Sequence, residues 1–345
     1  IQVQGRFEGA EGVMAGAARV TTIALSVRSF TEYDEQLNAE LLQRFAQMHP
    51  NVSPVSLSIP YNPDEVYNTV RAALRAESTN LSAAPLCLYW APDLIREFEF
   101  VPVDDLLPEK ERVEHIPELL DPVMHEGVLY CVPAIALAGV LLYREDLLDA
   151  HGFQNPPATW DELIEQAKTI LAGERNPDLI GYQFPAYAYE GLSTSFLTNL
   201  WSNGGDVFDG ERCALAGEAA REALQFMHDL IHKHRISPEN VTTAAHGLEP
   251  QEDFIHGRTI FLTMLPSVLQ ETNRVDSQLH AKVGVAPPPR GPHGDNGHSY
   301  LGGWHYAIPA NARAPMAATE FIRFMTSYEI QKERALRGGP APTFE

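Results

Sequence analysis

Residues 21–59 read TTIALSVRSFTEYDEQLNAELLQRFAQMHPNVSPVSLSI, in which two β-branched apolar runs flank a segment of helical spacing. The first run, Thr21–Val27, suits a strand that is buried on both faces. In the middle segment, Leu37, Leu41 and Phe45 recur at the interval that places them on one face of a helix. The order strand–helix–strand predicts a βαβ unit with parallel strands.

The same alternation continues to the C-terminus and predicts an α/β protein whose mainly parallel sheets are flanked by helices. Further strands are predicted at Pro85–Trp90, Leu129–Val132, Gly139–Tyr143, Thr259–Met264, Lys282–Ala286 and His305–Ile308. Helices are predicted at about 64–77, 160–171, 218–234, 315–325 and 328–336. Thr159 and Glu162 form a capping-box pattern at the start of one helix. Leu224 is expected on the buried face of another, with Met227 and Leu230.

Length, charge and cysteine content limit the classes of function. A chain of 345 residues is long enough for roughly two domains. Its formal net charge of −21, without any basic run, argues against binding to nucleic acid or to anionic membranes. The longest apolar run, Ala134–Tyr143, has ten residues, whereas a transmembrane helix needs roughly twenty. Cys87, Cys131 and Cys213 give an odd count without a CxxC pair, which argues against a disulfide scaffold or a four-cysteine zinc site.

The first twenty residues differ from the rest of the chain. They show no hydrophobic period and contain Gly5, Gly9, Gly12 and Gly16, so residues 1–20 are expected to be a flexible leader outside the fold. Beyond residue 20, no polar linker interrupts the predicted elements. Two lobes are therefore expected to be joined by several crossings of the chain.

Sequence signatures of catalysis are missing, because the chain has no GxSxG, HExxH, GxxxxGK[ST] or GxGxxG motif. The sequence therefore predicts neither an enzyme nor a bound cofactor. His293, Asp295 and His298 lie in one Gly-rich loop, where they are either metal ligands or solvated side chains. The solvated loop is the preferred interpretation, because a metal site needs a fixed frame.

Aromatic residues at predicted strand ends indicate a small-molecule site. Trp90 ends one predicted strand, and Trp304 precedes another. Flat aromatic faces with a polar edge suit sugar rings, although such a residue alone more often fills a core. The paired Gly302 and Gly303 favour a close approach of a ligand to the backbone next to Trp304.

Two acids follow the first predicted strand, and two interpretations of them stay open. Glu32 and Asp34 are either helix-start acids that favour the positive end of the helix dipole or polar ligand contacts. The second interpretation rests on the rule that open α/β sheets bind ligands at the carboxyl ends of their strands.

Several segments resemble, in the same order, motifs of the solute-binding proteins of bacterial ABC importers, in particular the carbohydrate-uptake family that includes maltose- and trehalose-binding proteins. These segments are Val132–Pro133, Leu142–Leu148, Pro157–Leu163, Tyr189–Leu192, Trp201–Gly205, Asp253–Ile260, Leu301–Trp304 and Phe321–Gln331. Together they span about residues 20–345. One departure is the apolar stretch Ala134–Leu137, where sugar-binding members commonly carry aromatic or acidic residues. The departure suggests a ligand that is smaller or less polar than an unmodified disaccharide.

The resemblance implies a two-lobed periplasmic-binding-protein fold, with three crossings between the lobes and the ligand between them. It implies a first lobe at about 21–137 plus 302–315 and a second at about 138–301 plus 316–345. The function implied is that of a monomeric extracytoplasmic receptor, periplasmic or lipid-anchored, that captures a carbohydrate or glycoside by hinge closure and delivers it to an ABC-importer permease. The expected ligand contacts are Trp304, Gly303, Trp90, Asp93, Tyr189 and Glu190, with Glu32 and Asp34 as further candidates.

Two alternative functions stay open. A receptor for a glycerophosphodiester or another non-sugar solute with a phosphate would need a cationic group in the cleft, such as Arg28. A carbohydrate-active hydrolase would need two carboxylates that face each other across the cleft.

Overall fold

The computed structural model describes residues 21–25, 32–56, 62–79, 81–243, 249–337 and 339–344, so the predicted leader at 1–20 lies outside the described residues. The helices are α1 (Glu32–Met48), α2 (Pro63–Arg75), α3 (Ala91–Glu97), α4 (Glu109–Arg112), α5 (Glu145–Ala150), α6 (Trp160–Glu174), α7 (Glu190–Ser202), α8 (Glu218–His232), α9 (Glu249–Ile255), α10 (Val268–Thr272), α11 (Pro315–Thr326) and α12 (Tyr328–Leu336). The strands are β1 (Thr21–Leu25), β2 (Val52–Ser56), β3 (Ala84–Cys87), β4 (Met124–His125), β5 (Val128–Leu129), β6 (Val132–Ala138), β7 (Val140–Arg144), β8 (Ile180–Gln183), β9 (Phe208–Asp209), β10 (Arg212–Cys213), β11 (Thr259–Met264), β12 (Val283–Ala286) and β13 (Leu301–Ala307).

Local signals in the sequence place most of these elements correctly. At the start of α6, the Thr159 hydroxyl accepts a hydrogen bond from the Glu162 backbone N–H at 3.2 Å, which confirms the predicted cap. The Glu162 carboxylate accepts in turn from the backbone N–H of Ala158 at 2.7 Å. The prediction for Leu224 on α8 is wrong, because its side chain is exposed while Met227 is buried.

The first sheet has the order β3-β13-β6, and both of its pairings are antiparallel. β13 is the central strand, in which Trp304 lies opposite Cys87 on one side and Ile135 on the other. The predicted βαβ unit at the start of the chain is confirmed, since β1 pairs with β2 in parallel.

The second sheet has the order β12-β7-β11-β8. β7 pairs antiparallel with β11 and β12, whereas β11 and β8 are parallel. The α/β class is correct, but neither of these sheets is mainly parallel as predicted, because the first is antiparallel and the second is mixed. Alternation of elements along the chain does not fix the direction of a strand that inserts between distant neighbours, as β13 does.

The second sheet is covered on both faces, as strand periodicity requires. Leu141 and Phe261 pack into one hydrophobic cluster with helices α6 and α8. Their chain neighbours Leu142 and Leu262 point the opposite way, into a cluster that contains Phe254 of α9. We call the unit built on this sheet the second lobe.

The C-terminal helices pack on the first sheet, and this corrects one predicted boundary. Phe321 of α11 meets Phe45 of α1 edge to face, with ring centroids 5.5 Å apart, inside the same core as Trp304. Arg44 also pairs with Glu333 of α12 at 2.7 Å. Residues 316–345 were expected in the second lobe, but long-range apolar contacts place their described part in the first. We therefore propose that the first lobe consists of the described residues of 21–138 and 301–344.

Two crossings of the chain between the lobes lie side by side. β6 ends in the first sheet at Ala138, and β7 begins in the second at Val140, so Gly139 alone spans the gap. A Cβ atom on Gly139 would lie 2.9 Å from the ring of Tyr300, which precedes β13 on the return crossing. Within the described residues the chain crosses twice, because the segment after β13 packs in the first core.

Cys87, Cys131 and Cys213 form no disulfide in the described part of the chain. Burial raises the pKa of the Cys131 thiol. Among the residues that the structure describes, no helix combines the length and apolar character that a membrane span requires.

Candidate functional site

Two neighbouring cavities between the lobes form what we call the cleft. The smaller has a volume of about 80 Å³ and the larger about 690 Å³. They share Tyr189, Glu190, Thr194, Tyr300 and Gly302 as lining residues. Since both lobes contribute walls, the cleft is where closure of the lobes would enclose a small molecule.

The second-lobe wall of the larger cavity is one face of α7. Glu190, Thr194, Leu197 and Trp201 recur at intervals of three or four residues and all line this cavity. Tyr189 and Glu190, which were expected as ligand contacts, therefore lie together at the start of α7 and line both cavities. Thr194 was missed, although its helical spacing from Glu190 is a signal that could have identified it.

The first-lobe wall combines the end of β3 with the start of β13. Leu88 and Tyr89 follow β3, Asp64 begins α2, and Leu301 and Gly302 open β13. Asp64 was missed because an acid in the first turn of a helix has a sufficient local explanation in the helix dipole. Tyr300 was missed because it belongs to no periodic element.

Trp304 lines the smaller cavity, yet its side chain is only 3% exposed. It meets Trp90 edge to face, with ring centroids 5.9 Å apart, and both belong to the core of the first lobe. Trp90 lines neither cavity. Its ring is buried against Trp304, and among the described residues its indole N–H has no hydrogen-bond partner. Any ligand role of Trp304 is thus combined with a structural one.

Gly303 lines the smaller cavity but is needed for sheet packing. Its carbonyl accepts a hydrogen bond from the backbone N–H of Leu88 at 2.9 Å. A Cβ atom at Gly303 would lie 2.5 Å from the carbonyl oxygen of Ile135, whereas one at Gly302 would meet nothing closer than 4.0 Å. Of the two glycines, only Gly302 could take a methyl group at ordinary van der Waals distances, from Leu137 and Tyr300.

The remaining predicted contacts lie away from the cavities. Asp93 is exposed in the first turn of α3 and lines neither cavity. Asp34 is buried in α1 and accepts a hydrogen bond from the Gln270 amide at 3.2 Å. The side chain of Glu32, at the start of α1, lies outside the described residues, as does Arg28.

The smaller cavity is apolar at one end, where Leu137, Met264 and Leu265 contribute side chains beside Cys87. Only Leu137 of the stretch 134–137 lines it. Ala134, Ile135 and Ala136 are buried in β6, because this segment is a strand of the first sheet and not a ligand-binding loop.

The charged side chains that line the cleft are acidic. Asp64 and Glu190 line the larger cavity, and neither cavity has a lysine or arginine among its described lining residues. The Tyr89 hydroxyl donates a hydrogen bond to Asp64 at 3.3 Å. Burial raises the pKa of Tyr89, and the charges of Glu190 and Asp64 add to the effect, so Tyr89 stays a neutral donor.

Within the described part of the chain, no group of three or more His, Cys, Asp or Glu side chains is arranged to hold a metal ion. His293, from the loop considered above, faces Glu222 at 3.3 Å. The hydrogen bond from Asn203 is the main cause that lowers the pKa of the Glu222 carboxyl below its ordinary value. The nearby His293 contributes a smaller effect in the same direction.

Comparison with known sequences gives a coherent result. A family profile described as "Bacterial extracellular solute-binding protein" matches residues 28–332. A probable ABC transporter-binding protein of Deinococcus radiodurans is 31% identical over 291 residues, or 83% of this chain and 68% of the relative. A putative binding protein of Brucella abortus is 25% identical over 82% of this chain and 66% of its own length. The chain thus spans about two thirds of the length of these curated relatives.

Comparison with solved structures also finds solute-binding proteins. The maltose-bound MalE3 of T. maritima superimposes with a TM-score of 0.88 at 31% identity, covering 94% of this chain and 82% of that chain. A solute-binding protein of Agrobacterium vitis with bound D-mannitol gives a TM-score of 0.77 at 23% identity, over 95% of this chain and 78% of that one. At that identity the second comparison supports the fold alone.

Proposed function

Because the chain belongs to the family of bacterial extracellular solute-binding proteins, we propose that it is the extracytoplasmic receptor of an ABC importer and captures a carbohydrate or glycoside in its cleft. A mannitol-binding protein of Pseudomonas aeruginosa is among the relatives, and a maltose complex is among the similar structures, so a sugar or polyol is the ligand class with the most support. Capture proceeds by closure of the lobes, since only contacts from both lobes give the ligand a higher affinity for the closed state. The receptor acts as a monomer and needs no cofactor.

The observation that carries this proposal is the composition of the larger cavity. Its volume of about 690 Å³ lies in the range of small-ligand sites, roughly 300–1,000 Å³. Tyr89, Tyr189 and Trp201 offer flat faces, while Glu190 and Thr194 offer hydrogen-bonding groups. Aromatic faces combined with a few polar groups match a sugar ring, which is apolar on its faces and polar at its rim. The maltose complex of the relative from T. maritima points to the same ligand class.

The two alternatives have less support. A phosphorylated solute requires a cation, and the described lining residues of the cleft carry two carboxylates and no lysine or arginine. A hydrolase requires a pair of carboxylates with matched roles, for which Asp64 and Glu190 are the available residues. Asp64 already accepts a hydrogen bond from Tyr89, and the sequence carries none of the catalytic motifs considered above, so we propose that the ligand is released unchanged.

A ligand panel tests the proposal. Maltose, trehalose, mannitol and glycerophosphocholine are titrated calorimetrically into the protein, and the melting temperature is recorded with each. We expect at least one neutral sugar or polyol to bind and to raise the melting temperature. Small-angle scattering with that ligand should show a smaller radius of gyration.

Two tyrosines in the same segment give a matched pair of variants. The rings of Tyr187 and Tyr189 have centroids 6.0 Å apart, but only Tyr189 lines the cleft. Tyr189→Ala should weaken binding, and Tyr187→Ala should leave the affinity unchanged. Binding of glycerophosphocholine alone would favour the first alternative. Chromatographic detection of a product from any sugar would favour the hydrolase.

A further inference from the structure

Two histidines face each other on the solvent side of the second lobe, away from the cleft. His228 and His232 lie four residues apart near the end of α8, and both are exposed. Their ring centroids are 4.4 Å apart, and the ring planes are inclined by 45°. Residues at this spacing share one face of a helix, so the two imidazoles project in the same direction.

A neighbouring carboxylate orients the first of these rings. Nδ1 of His228 lies 3.4 Å from Oδ1 of Asp229, and the Gln225 amide donates to the same carboxylate oxygen at 2.7 Å rather than to the ring nitrogen 3.5 Å away. A carboxylate that accepts from Nδ1 keeps the proton on that nitrogen and leaves Nε2 as a ligand.

The surroundings of the pair favour a cation. The rings lie in the last turns of α8, where the helix dipole is negative. Lys233 is the neighbouring positive charge, and its ammonium group is paired with Asp229 at 3.1 Å. His234 turns instead toward Lys168, 3.2 Å away. The chain as a whole carries a formal net charge of −21.

We propose that His228 and His232 form a two-histidine chelate for one transition-metal ion of the Zn²⁺, Ni²⁺ or Cu²⁺ type. Imidazole nitrogens select these ions over Mg²⁺ and Ca²⁺, which prefer oxygen ligands. Water completes the coordination sphere, because the described residues provide no cluster of three ligating side chains. The chelate is therefore open and exchangeable, and it is independent of ligand capture in the cleft.

Titration of the chelator-stripped full chain with ZnCl₂ and NiCl₂ tests the proposal. We expect one strong equivalent of either metal and none of CaCl₂. His228→Asn and His232→Asn should each weaken Zn²⁺ binding by about tenfold or more, and Asp229→Asn by about tenfold, because outer-shell partners of ligating histidines contribute on that scale. The melting temperature of each metal-free variant confirms that it is folded.

Two variants with the same number of histidines test whether metal binding depends on the four-residue spacing between the two imidazoles. In the His232→Asn protein, Leu224→His places an imidazole one turn before His228, at an exposed position, and should restore binding. Lys233→His in the same background gives a separation of five residues and should not restore it. Unchanged binding in the His228→Asn/His232→Asn double variant, or equal rescue by both added histidines, would overturn the chelate and show adventitious binding by histidines elsewhere.

Discussion

The carboxylate of Asp34 in α1 accepts a hydrogen bond from the side-chain amide of Gln270 in α10, at 3.2 Å. α1 packs in the core of the first lobe, whereas α10 packs in the second, so this bond joins the two lobes. Asp34 is only 1% exposed, and its carboxylate is thus shielded from water at the junction. Asp34 does not line the cleft, but its hydrogen bond to Gln270 helps to hold the two lobes in their relative position.

Removing the donor should loosen this junction. Gln270→Ala deprives a buried carboxylate of one partner, which costs about 1 kcal/mol of unfolding free energy. The radius of gyration of the ligand-free protein should increase, as measured by small-angle scattering. Gln278→Ala, at an exposed glutamine of the same lobe, is the control and should change neither quantity. Identical scattering of both variants would mean that the bond does not hold the lobes together.

The paired glycines of β13 should respond in opposite ways to alanine. Gly303→Ala forces a methyl group against the Ile135 carbonyl and should destabilise the fold by about 1–3 kcal/mol. Gly302→Ala adds a methyl group at ordinary van der Waals distance from Leu137 and Tyr300, and it should leave the melting temperature nearly unchanged while altering ligand affinity. Urea unfolding of the two variants checks the difference. Equal stability of both would show that β6 can move to accommodate the methyl group.

Trp304 should prove to be a structural residue as well as a wall of the cleft. Because its ring is buried against Trp90, Trp304→Ala should reduce the free energy of unfolding by about 3–5 kcal/mol. Trp304→Phe keeps part of the packing and should cost less. Denaturant titration measures both variants. A truncation that abolishes ligand binding with no loss of stability would instead assign Trp304 to the ligand alone.

Tyr89 is expected to contribute to affinity and hardly to stability. Tyr89→Phe removes a hydroxyl from a ring that is 49% exposed, so the melting temperature should stay nearly constant. The affinity for the best sugar of the panel should fall by about 1 kcal/mol, or roughly fivefold, through the loss of one hydrogen bond. Tyr328→Phe, at a tyrosine of 51% exposure on α12, is the matched control. Equal affinities of the two variants would remove Tyr89 from the site.

Acid should destabilise the protein before its carboxylates are protonated. Burial lowers the pKa of His305 to about 4, and its Nε2 donates to the Leu119 carbonyl at 2.8 Å. In the unfolded chain the pKa returns to about 6.5, so the unfolded state binds the extra proton first. Stability is therefore complete above pH 6.5 and declines as the pH falls toward 4, by up to about 1.4 kcal/mol per unit.

Unfolding in urea between pH 7.5 and 4 measures this slope. Burial also lowers the pKa of His115, which adds a contribution of the same sign. His305→Gln should flatten the profile, whereas His280→Gln, at an exposed histidine, should leave it unchanged. A profile that is equally steep without His305 would trace the acid sensitivity to other groups.

Local sequence signals predicted the elements well, and long-range contacts account for the errors. Thr159 and the helix Tyr328–Leu336 were predicted correctly, because caps and helical periodicity depend on neighbours in the chain. The sequence placed that helix in the second lobe, whereas we propose that it belongs to the first. Its position depends on contacts with α1, such as the ion pair of Arg44 and Glu333, which local sequence signals do not reveal. For the same reason, the pairing directions of β13 could not be predicted from alternation alone.

The proposed ligand contacts lie only in part at the cleft. Tyr189 and Glu190 were expected from the resemblance and line both cavities, although the sequence analysis did not predict the helix that begins there. Trp304 was interpreted as a ligand platform because a glycine pair and an aromatic ring suit either a cleft or a tightly packed strand. A Cβ atom at Gly303 would lie 2.5 Å from the Ile135 carbonyl oxygen, which identifies a tightly packed strand at this glycine. Only the folded backbone provides that distance.

The central position of β13 has a consequence for the order in which the protein folds. Its neighbours β3 and β6 are synthesised early, yet Cys87 and its partner Trp304 are roughly two hundred residues apart, a large loop-closure cost. The strands of the second lobe, β7 to β12, all lie between Gly139 and Tyr300 and can pair on the ribosome before β13 emerges. Until then, the facing edges of β3 and β6 are unpaired and open to aggregation. Nascent chains of this protein should therefore acquire protease resistance in the second lobe first.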